Sequence, residues 1–287
     1  MGMNTNTLSG NTKVLAVFGD PVHHSLSPLM HNAAFSALGW ECVYIPCRVE
    51  SGKLPVAVES IRALNWIGAN ITVPHKQAVL NGMDQIIGDA QKSGSVNTII
   101  HRDGRLIGAS TDGVGFLRSL SEEGHFDVEG KKVLLFGAGG AARAVLYSLI
   151  SAGIVSLTIV NRNIERAGEL RREALDKAGF RVDVADLNEL SKIDWDSFDL
   201  LINSTSVGRQ DDQSLIPGNF LQPKHFVYDM NYTKSGTRLY RDAQQIGCQA
   251  LAGLSMLLYQ GAESFRLWFD SDPPVDVMRR ALYQYYL

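Results

Sequence analysis

The chain has 287 residues, enough for two domains, and its 45% hydrophobic and 20% charged content describes a globular protein with ample core material. Lys+Arg at 27 against Asp+Glu at 30 gives a net charge of −3, which excludes a broad basic face for a nucleic-acid backbone. No apolar run reaches the ~18 residues of a membrane span. The first twelve residues are polar and lack a signal core, and Asn6 breaks the acylation pattern that Gly2 opens. The expectation is a cytoplasmic protein with a loose amino terminus, a small-molecule ligand, and no nucleic-acid or membrane partner.

In chain order, residues 14–18 form an apolar strand stopped at Gly19-Asp20-Pro21. Residues 42–47 form a second strand. Leu54, Val58, Ile61 and Leu64 repeat at helical spacing. Residues 69–73 make a third strand, ended by Pro74. Residues 96–101 and 106–110 flank Asp103-Gly104, a pair suited to the positive φ angles of a tight hairpin, so this half has a mixed sheet. After Asp112 the pattern changes to apolar strands at 133–136, 156–160, 200–202 and 226–230, with a helix through Ala144, Val145 and Leu149. That βαβ alternation predicts a doubly wound parallel sheet. Beyond Gly253 the apolar spacing is helical, through Leu254, Leu257, Leu258, Ala262, Phe265 and Phe269. The expected division is a substrate domain over 13–112, completed by 253–287, and a dinucleotide-binding Rossmann domain over 113–252.

Cys42, Cys47 and Cys248 are odd in number and fit no zinc spacing, so they read as inert thiols in a reducing compartment. His23, His24 and His31 lack a carboxylate or Cys at ligand spacing, and no metal is expected.

Gly137-Ala138-Gly139-Gly140-Ala141-Ala142 reads G-x-G-x-x-A, directly after a strand and opening a helix. The first Gly permits the tight turn, the second lets the backbone approach a pyrophosphate, and Ala142 lets helix and strand pack closely. The helix N-terminus offers free N–H groups to the phosphates. At the end of the next strand, where NAD sites place Asp or Glu, stand Asn161-Arg162-Asn163, with Arg166 one turn later. Arginines there suit a 2′-phosphate, which a carboxylate would repel, so the expected cofactor is NADP.

Four polar clusters mark the first 112 residues: 20–32, 70–76, 95–98 and 110–113. Each lies at or near a strand end, where ligands bind in open α/β sheets. Their hydroxyls and amides, with Lys76 and Asp112, suit a ligand with many hydroxyls and a carboxylate. Ser27 before Pro28 also has the composition of a helix N-cap, and His31-Asn32 that of a pair that begins or stabilises a helix.

From about Val17 to Trp268 the chain resembles the shikimate dehydrogenase family. The resemblance rests on HSLSP with the following HN, NITVPHK, SVNT, STDGVGF, GAGGAARA, NRNIERA, INSTSVG, DMNY and GLSMLLYQGA, in this order. It implies that Ser25 and Ser27 bind the substrate carboxylate. It implies too that Thr72, Asn97 and Gln260 bond ring hydroxyls, that Tyr232 lies near the carboxylate, and that Lys76 and Asp112 are the catalytic pair. Residues 137–141, Asn161, Arg162, Asn163, Arg166 and Gly253 would contact NADP. A lysine can donate a proton to the forming alkoxide or stabilise it, with Asp112 orienting it. The residues leave open which of the two carries the proton.

Arg209, Arg238, Ser204 and Ser206 depart from the family pattern, which concerns local cofactor contacts. The implied activity is reversible NADP-linked reduction of 3-dehydroshikimate to shikimate in aromatic amino-acid biosynthesis, by a monomer or homodimer. The rivals are a quinate or dual-specificity enzyme, possibly NAD-using, a non-catalytic metabolite sensor, which retention of Lys76 and Asp112 argues against, and a folate-linked dehydrogenase of similar architecture.

Overall fold

A computed structural model describes residues 8–285. The polar residues 1–7, expected to be loose, lie outside this range. The chain divides into two compact units: one runs up to Thr111 and takes in the stretch from Leu257 onward, and the other is Asp112–Met256.

The first unit contains β1 (Lys13–Gly19), α1 (Ser27–Leu38), β2 (Cys42–Arg48), α2 (Leu54–Ala63), β3 (Gly68–Ile71), β4 (Gln85–Ile86), α3 (Asp89–Ser93), β5 (Thr98–Arg102) and β6 (Arg105–Ala109). Its six-stranded sheet has the order β2-β1-β3-β5-β6-β4. β1 runs parallel to β2 and β3, while β5 runs antiparallel to β3 and β6. The expected mixed sheet is therefore present. The hairpin turns on Asp103 and Gly104, with φ of 51° and 73°. α2 buries Leu54, Val58 and Ile61 against Ala16, Phe18 and Ile71, while Leu64 falls beyond the helix and is exposed.

This topology fixes where the polar clusters go. β1, β3 and β6 run the same way, so their carboxyl ends share one sheet edge. β5 runs against them and starts at that edge, with Thr98 in register with Asn70 and Ala109. The segments after β1, after β3, before β5 and after β6 therefore meet along one rim.

The second unit contains α4 (Asp112–Glu122), β7 (Lys132–Phe136), α5 (Gly140–Ser151), β8 (Ser156–Asn161), α6 (Ile164–Ala178), β9 (Val182–Asp186), β10 (Leu200–Asn203), β11 (Phe226–Asp229), α7 (Arg238–Ile246) and β12 (Gln249–Ala252). α8 (Leu254–Phe269) begins in this unit, and the chain passes back to the first within it; α9 (Val275–Gln284) follows. The sheet order is β12-β11-β10-β7-β8-β9, and every pair is parallel. Read from β7, this is the doubly wound order 3-2-1-4-5-6, with its switch point between β7 and β10. Val133, Leu135, Ile159, Leu200 and Ile202 fill one face of the core, and Leu134, Phe136, Val160, Leu201 and Val227 the other. Burial on both faces explains why β7 and β10 read as apolar runs, whereas β8 keeps Ser156 and Thr158 at partly buried positions.

β9 and β12 had no such signature. They are the edge strands and are only partly buried. Among the described residues no helix is long and apolar enough to cross a membrane.

Candidate active site

The rim of the first unit carries a continuous hydrogen-bond network. Ser25 lies in the loop after β1, half-buried, and its Oγ accepts the Ser27 N–H at 3.3 Å. Ser27 is the first residue of α1, and Leu26 occupies the N-cap position with no side-chain cap bond. The capping alternative for Ser27 thus fails, and its hydroxyl instead pairs with the buried Tyr44 phenol. Burial pushes that phenol well above its usual pKa, and the Ser27 bond pulls against the shift. The Tyr44 hydroxyl donates to Asn70 Oδ1 at 2.7 Å.

Asn70 Nδ2 donates to the Asn97 carbonyl at 3.0 Å and to Thr98 Oγ1 at 3.1 Å. Asn97, 2% exposed, holds its amide between Thr111 and Gln260. Its Oδ1 accepts the Thr111 N–H at 2.8 Å, and its Nδ2 donates to Thr111 Oγ1 at 2.9 Å and to Gln260 Oε1 at 3.3 Å. A backbone N–H can only donate, so the Thr111 bond settles which way the amide faces. Gln260 is further held by its own Nε2 donating to the Leu257 carbonyl at 2.9 Å.

Thr72 follows β3, half-buried, and its N–H donates to the Phe18 carbonyl at 2.9 Å. The turn continues through a His75 N–H to Thr72 carbonyl bond, and the buried His75 Nε2 donates to the Val49 carbonyl at 2.6 Å. Lys76 comes next, half-buried, its carbonyl tied to the Val96 N–H at 2.8 Å. Asp112 is the first residue of α4, 4% exposed, and directly follows Thr111.

Of the two expectations for His31 and Asn32, that they begin a helix fails, because α1 already begins at Ser27 and both lie inside it. Asn32 instead imitates a strand partner, its Nδ2 donating to the Tyr44 carbonyl and its Oδ1 accepting the Tyr44 N–H, at 2.9 and 2.8 Å. His31 is fully buried, stacked on Tyr44 at 4.6 Å between ring centroids, and neither ring nitrogen has a hydrogen-bond partner among the described residues. Burial alone lowers its pKa from 6.5 to about 3. It is therefore a neutral packing residue.

The carboxyl edge of the second sheet fits a dinucleotide. Gly137 has φ 108°, and a Cβ there would sit 2.6 Å from Ser204 Oγ, so only Gly makes this turn. A Cβ built on Gly139 meets nothing within 4 Å, which leaves that side of the backbone open to a ligand. Gly139 caps α5 with no side-chain bond, and Gly140 and Ala141 are half-buried at the helix start. Ala138 and Ala142 are buried.

At the end of β8, Asn161 Nδ2 donates to the Asn163 carbonyl at 2.8 Å, and Asn163 Oδ1 caps α6 by accepting the Arg166 N–H at 2.9 Å. These bonds rigidify the turn and leave the Arg162 and Arg166 side chains exposed beside it. The carboxylate in register with Asn161 is Asp186 on β9, whose Oδ1 is engaged by Asn188. The residues present therefore suit a 2′-phosphorylated cofactor.

Gly253 has a packing role of its own, since any Cβ there would collide with the Met230 carbonyl. Tyr232 is half-buried, and burial raises its pKa while the Arg209 charge opposes the rise. Of the departures from the family pattern, Arg209 is exposed and Arg238 pairs with Asp242 at 2.9 Å. Ser204 Oγ donates to the Phe136 carbonyl at 2.6 Å, and Ser206 is exposed.

Sequence reasoning missed Asp229, 1% exposed at the end of β11. Its carboxylate accepts from Asn231 N–H and Nδ2, Asn203 Nδ2 and Thr237 Oγ1, at 2.6–3.2 Å. It ties together the loops after β10 and β11. It opens the DMNY motif, but only the Tyr of that motif drew a role from the sequence.

A Gly-rich turn at the switch point of a doubly wound sheet, joined in one chain to a second α/β unit with a polar rim, defines a two-domain dinucleotide-binding protein. Three family models match the chain in succession. They are the shikimate dehydrogenase substrate-binding domain over residues 17–99, shikimate/quinate 5-dehydrogenase over 119–210, and the shikimate 5′-dehydrogenase C-terminal domain over 253–283. A shikimate dehydrogenase (NADP+) of Moorella thermoacetica is 44% identical over 281 residues, covering 96% of this chain and 94% of the relative. A solved shikimate dehydrogenase in complex with NADP+ superposes with a TM-score of 0.92 at 35% identity, covering 98% of both chains. That of Thermus thermophilus, solved with NADP(H) and shikimate, gives 0.85 at 35% identity, covering 96% of this chain and all of the other. The chain belongs to the shikimate dehydrogenase family.

Proposed function

We propose that this chain catalyses the reversible NADP-linked reduction of 3-dehydroshikimate to shikimate, in aromatic amino-acid biosynthesis. The observation that carries the reading is the convergence of four chain segments on one rim of the first sheet. They bring Ser25 and Ser27, Thr72 and Lys76, Asn97, and Thr111 leading into Asp112.

Ser25 and Ser27 bind the substrate carboxylate, with Tyr232 contributing its phenol. Thr72, Asn97 and Gln260 bond the ring hydroxyls, and the fixed amide of Asn97 makes that recognition directional. Lys76 and Asp112 handle the proton of the reacting hydroxyl: oxidation removes it as the ring carbon gives up hydride, and reduction returns it. The Gly137–Ala141 turn would hold the pyrophosphate, and Arg162 and Arg166 the 2′-phosphate, with Asn161 and Asn163 shaping their turn and Gly253 a further cofactor contact. NADP, when bound, supplies the hydride acceptor and, reduced, the donor. The enzyme works in the cytoplasm as a monomer or homodimer, a location that the free thiols of Cys42, Cys47 and Cys248 suit.

Lys76→Ala and Asp112→Asn test the assignment. Each is expected to lower kcat by about a thousandfold or more, as loss of a proton-handling and electrostatic group does, while the NADP dissociation constant holds. Near-wild-type turnover in either variant would overturn the pair's role.

A further inference from the structure

Ser264 stands one helical turn beyond Gln260 on α8, and its side chain is fully buried. A fully buried serine hydroxyl calls for a partner, and this one has four polar neighbours. Its Oγ donates to the Gln260 carbonyl at 3.0 Å and accepts from Asn70 Nδ2 at 3.0 Å. It also lies 2.8 Å from Thr98 Oγ1 and 3.2 Å from Thr111 Oγ1. A hydroxyl has one proton to give and two lone pairs to offer, so it bonds three of the four at once: with its own proton on the Gln260 carbonyl and the Thr98 proton on Asn97 Oδ1, it accepts from Asn70 and Thr111 and keeps Thr98 in close contact. A hydroxyl bonded to its full capacity in a dry interior holds its partners in place.

The partners of Ser264 belong to both halves of the rim. Asn70 leads through Tyr44 to Ser27, at the carboxylate-binding end. Thr98 donates to Asn97 Oδ1 at 3.0 Å, and Thr111 meets the same amide through its N–H and its hydroxyl. The main chain of Thr111 continues directly into Asp112. A shift of Thr111 is therefore a shift of the next residue's carboxylate, and Asn97 moves with it.

We propose that Ser264 is a positioning residue for the reaction: its hydroxyl locks Thr111 and Asn97, and through the Thr111 main chain the carboxylate of Asp112, at the geometry turnover requires. This deepens the function proposed above and rests on the roles given there to Asn97 and Asp112. Ser264 touches neither substrate nor cofactor in this role.

The test is steady-state kinetics of the full-length protein with shikimate and NADP, for wild type, Ser264→Ala, Thr111→Val, the double variant and Asp112→Asn. Ser264→Ala removes one oxygen and keeps the helix, and Asn70 Nδ2 retains the Asn97 carbonyl and Thr98. We expect kcat/KM for shikimate to fall about tenfold or more, the scale set by small misplacements of catalytic groups, with kcat down, KM for shikimate up and KM for NADP unchanged. Thr111→Val should do the same, and the double variant should lose less than the product of the single losses, because both act on one network. A merely structural loss would reduce the active fraction and lower kcat with both KM values unchanged, and that result overturns the proposal. So does a Ser264→Ala enzyme indistinguishable from wild type, or strict multiplicativity in the double variant. If Asp112→Asn collapses turnover while Ser264→Ala does not, this inference alone falls. If Asp112→Asn turns over like wild type, the proposed function falls and takes this role with it.

Discussion

Mild acid should destabilise the first unit through one side chain. The His31 imidazole is fully buried against Tyr44, Phe35 and Trp268, without a hydrogen-bond partner among the described residues, and burial holds its pKa near 3 against 6.5 in the unfolded chain. Between those values the unfolded chain takes up a proton that the folded chain refuses. The stabilising contribution is therefore complete above the unfolded pKa and drains as pH falls, at about 1.4 kcal/mol per pH unit. At about pH 5 the loss is roughly 2 kcal/mol relative to neutral pH, a large share of the few kcal/mol that hold a domain together. His31→Leu removes the titrating group and keeps an apolar side chain in the space. The assay is urea unfolding followed by tryptophan fluorescence, because Trp40, Trp66 and Trp268 lie in the same unit and Trp268 is 5.3 Å from the His31 ring. The quantity of interest is the wild-type-minus-variant difference at each pH, in which every other titrating group cancels. It should move by about 2 kcal/mol toward the variant between about pH 7.5 and pH 5. Parallel pH profiles would show that His31 does not stay neutral in the fold, and the reasoning would be wrong.

Replacing Arg162 and Arg166 together with Ala should raise the KM for NADP by about tenfold or more while leaving that for NAD nearly unchanged, since each charge-assisted bond to a phosphate is worth on the order of 1.5–3 kcal/mol when made. Equal effects on the two cofactors would show that the arginines do not read the 2′-phosphate. Asp229→Ala leaves Asn203, Asn231 and Thr237 donors buried without their acceptor, and should destabilise the second unit by about 3 kcal/mol. A melting temperature equal to wild type would contradict that. Gly137→Ala forces a side chain into φ 108° against Ser204 Oγ, and should weaken NADP binding measured by nicotinamide fluorescence. Unchanged affinity would remove the turn from the cofactor site.

The sequence was most legible where burial is two-sided. β7, β10 and β11 are central strands of a parallel sheet, and each reads as an apolar run followed by turn residues. β9 and β12 pair on one side only and stay partly exposed, so neither alternation nor an apolar run marks them. The hairpin of β5 and β6 was legible from Asp103-Gly104, because few residue pairs accept two positive φ angles. Among site residues, Ser25, Ser27, Thr72, Lys76, Asn97 and Asp112 stood out as polar clusters beside breakers. Their meeting on one rim depended on β5 pairing antiparallel to β3, which pattern alone does not fix. Ser264 was invisible because a single serine inside an apolar helical repeat has no local signature; its partners come from residues 70, 98 and 111, far away in sequence. What His31 and Asn32 do inside α1 was not legible locally, because long-range contacts to Tyr44 decide it.

Absorbance at the reduced-nicotinamide band tests the central claim most directly. Purified protein is given shikimate or quinate, each with NADP or NAD, beside a Lys76→Ala control. The account predicts rapid reduction with shikimate and NADP, much slower reduction in the other three mixtures, and none with the variant. Faster turnover of quinate or with NAD, or no turnover in any mixture, would contradict it.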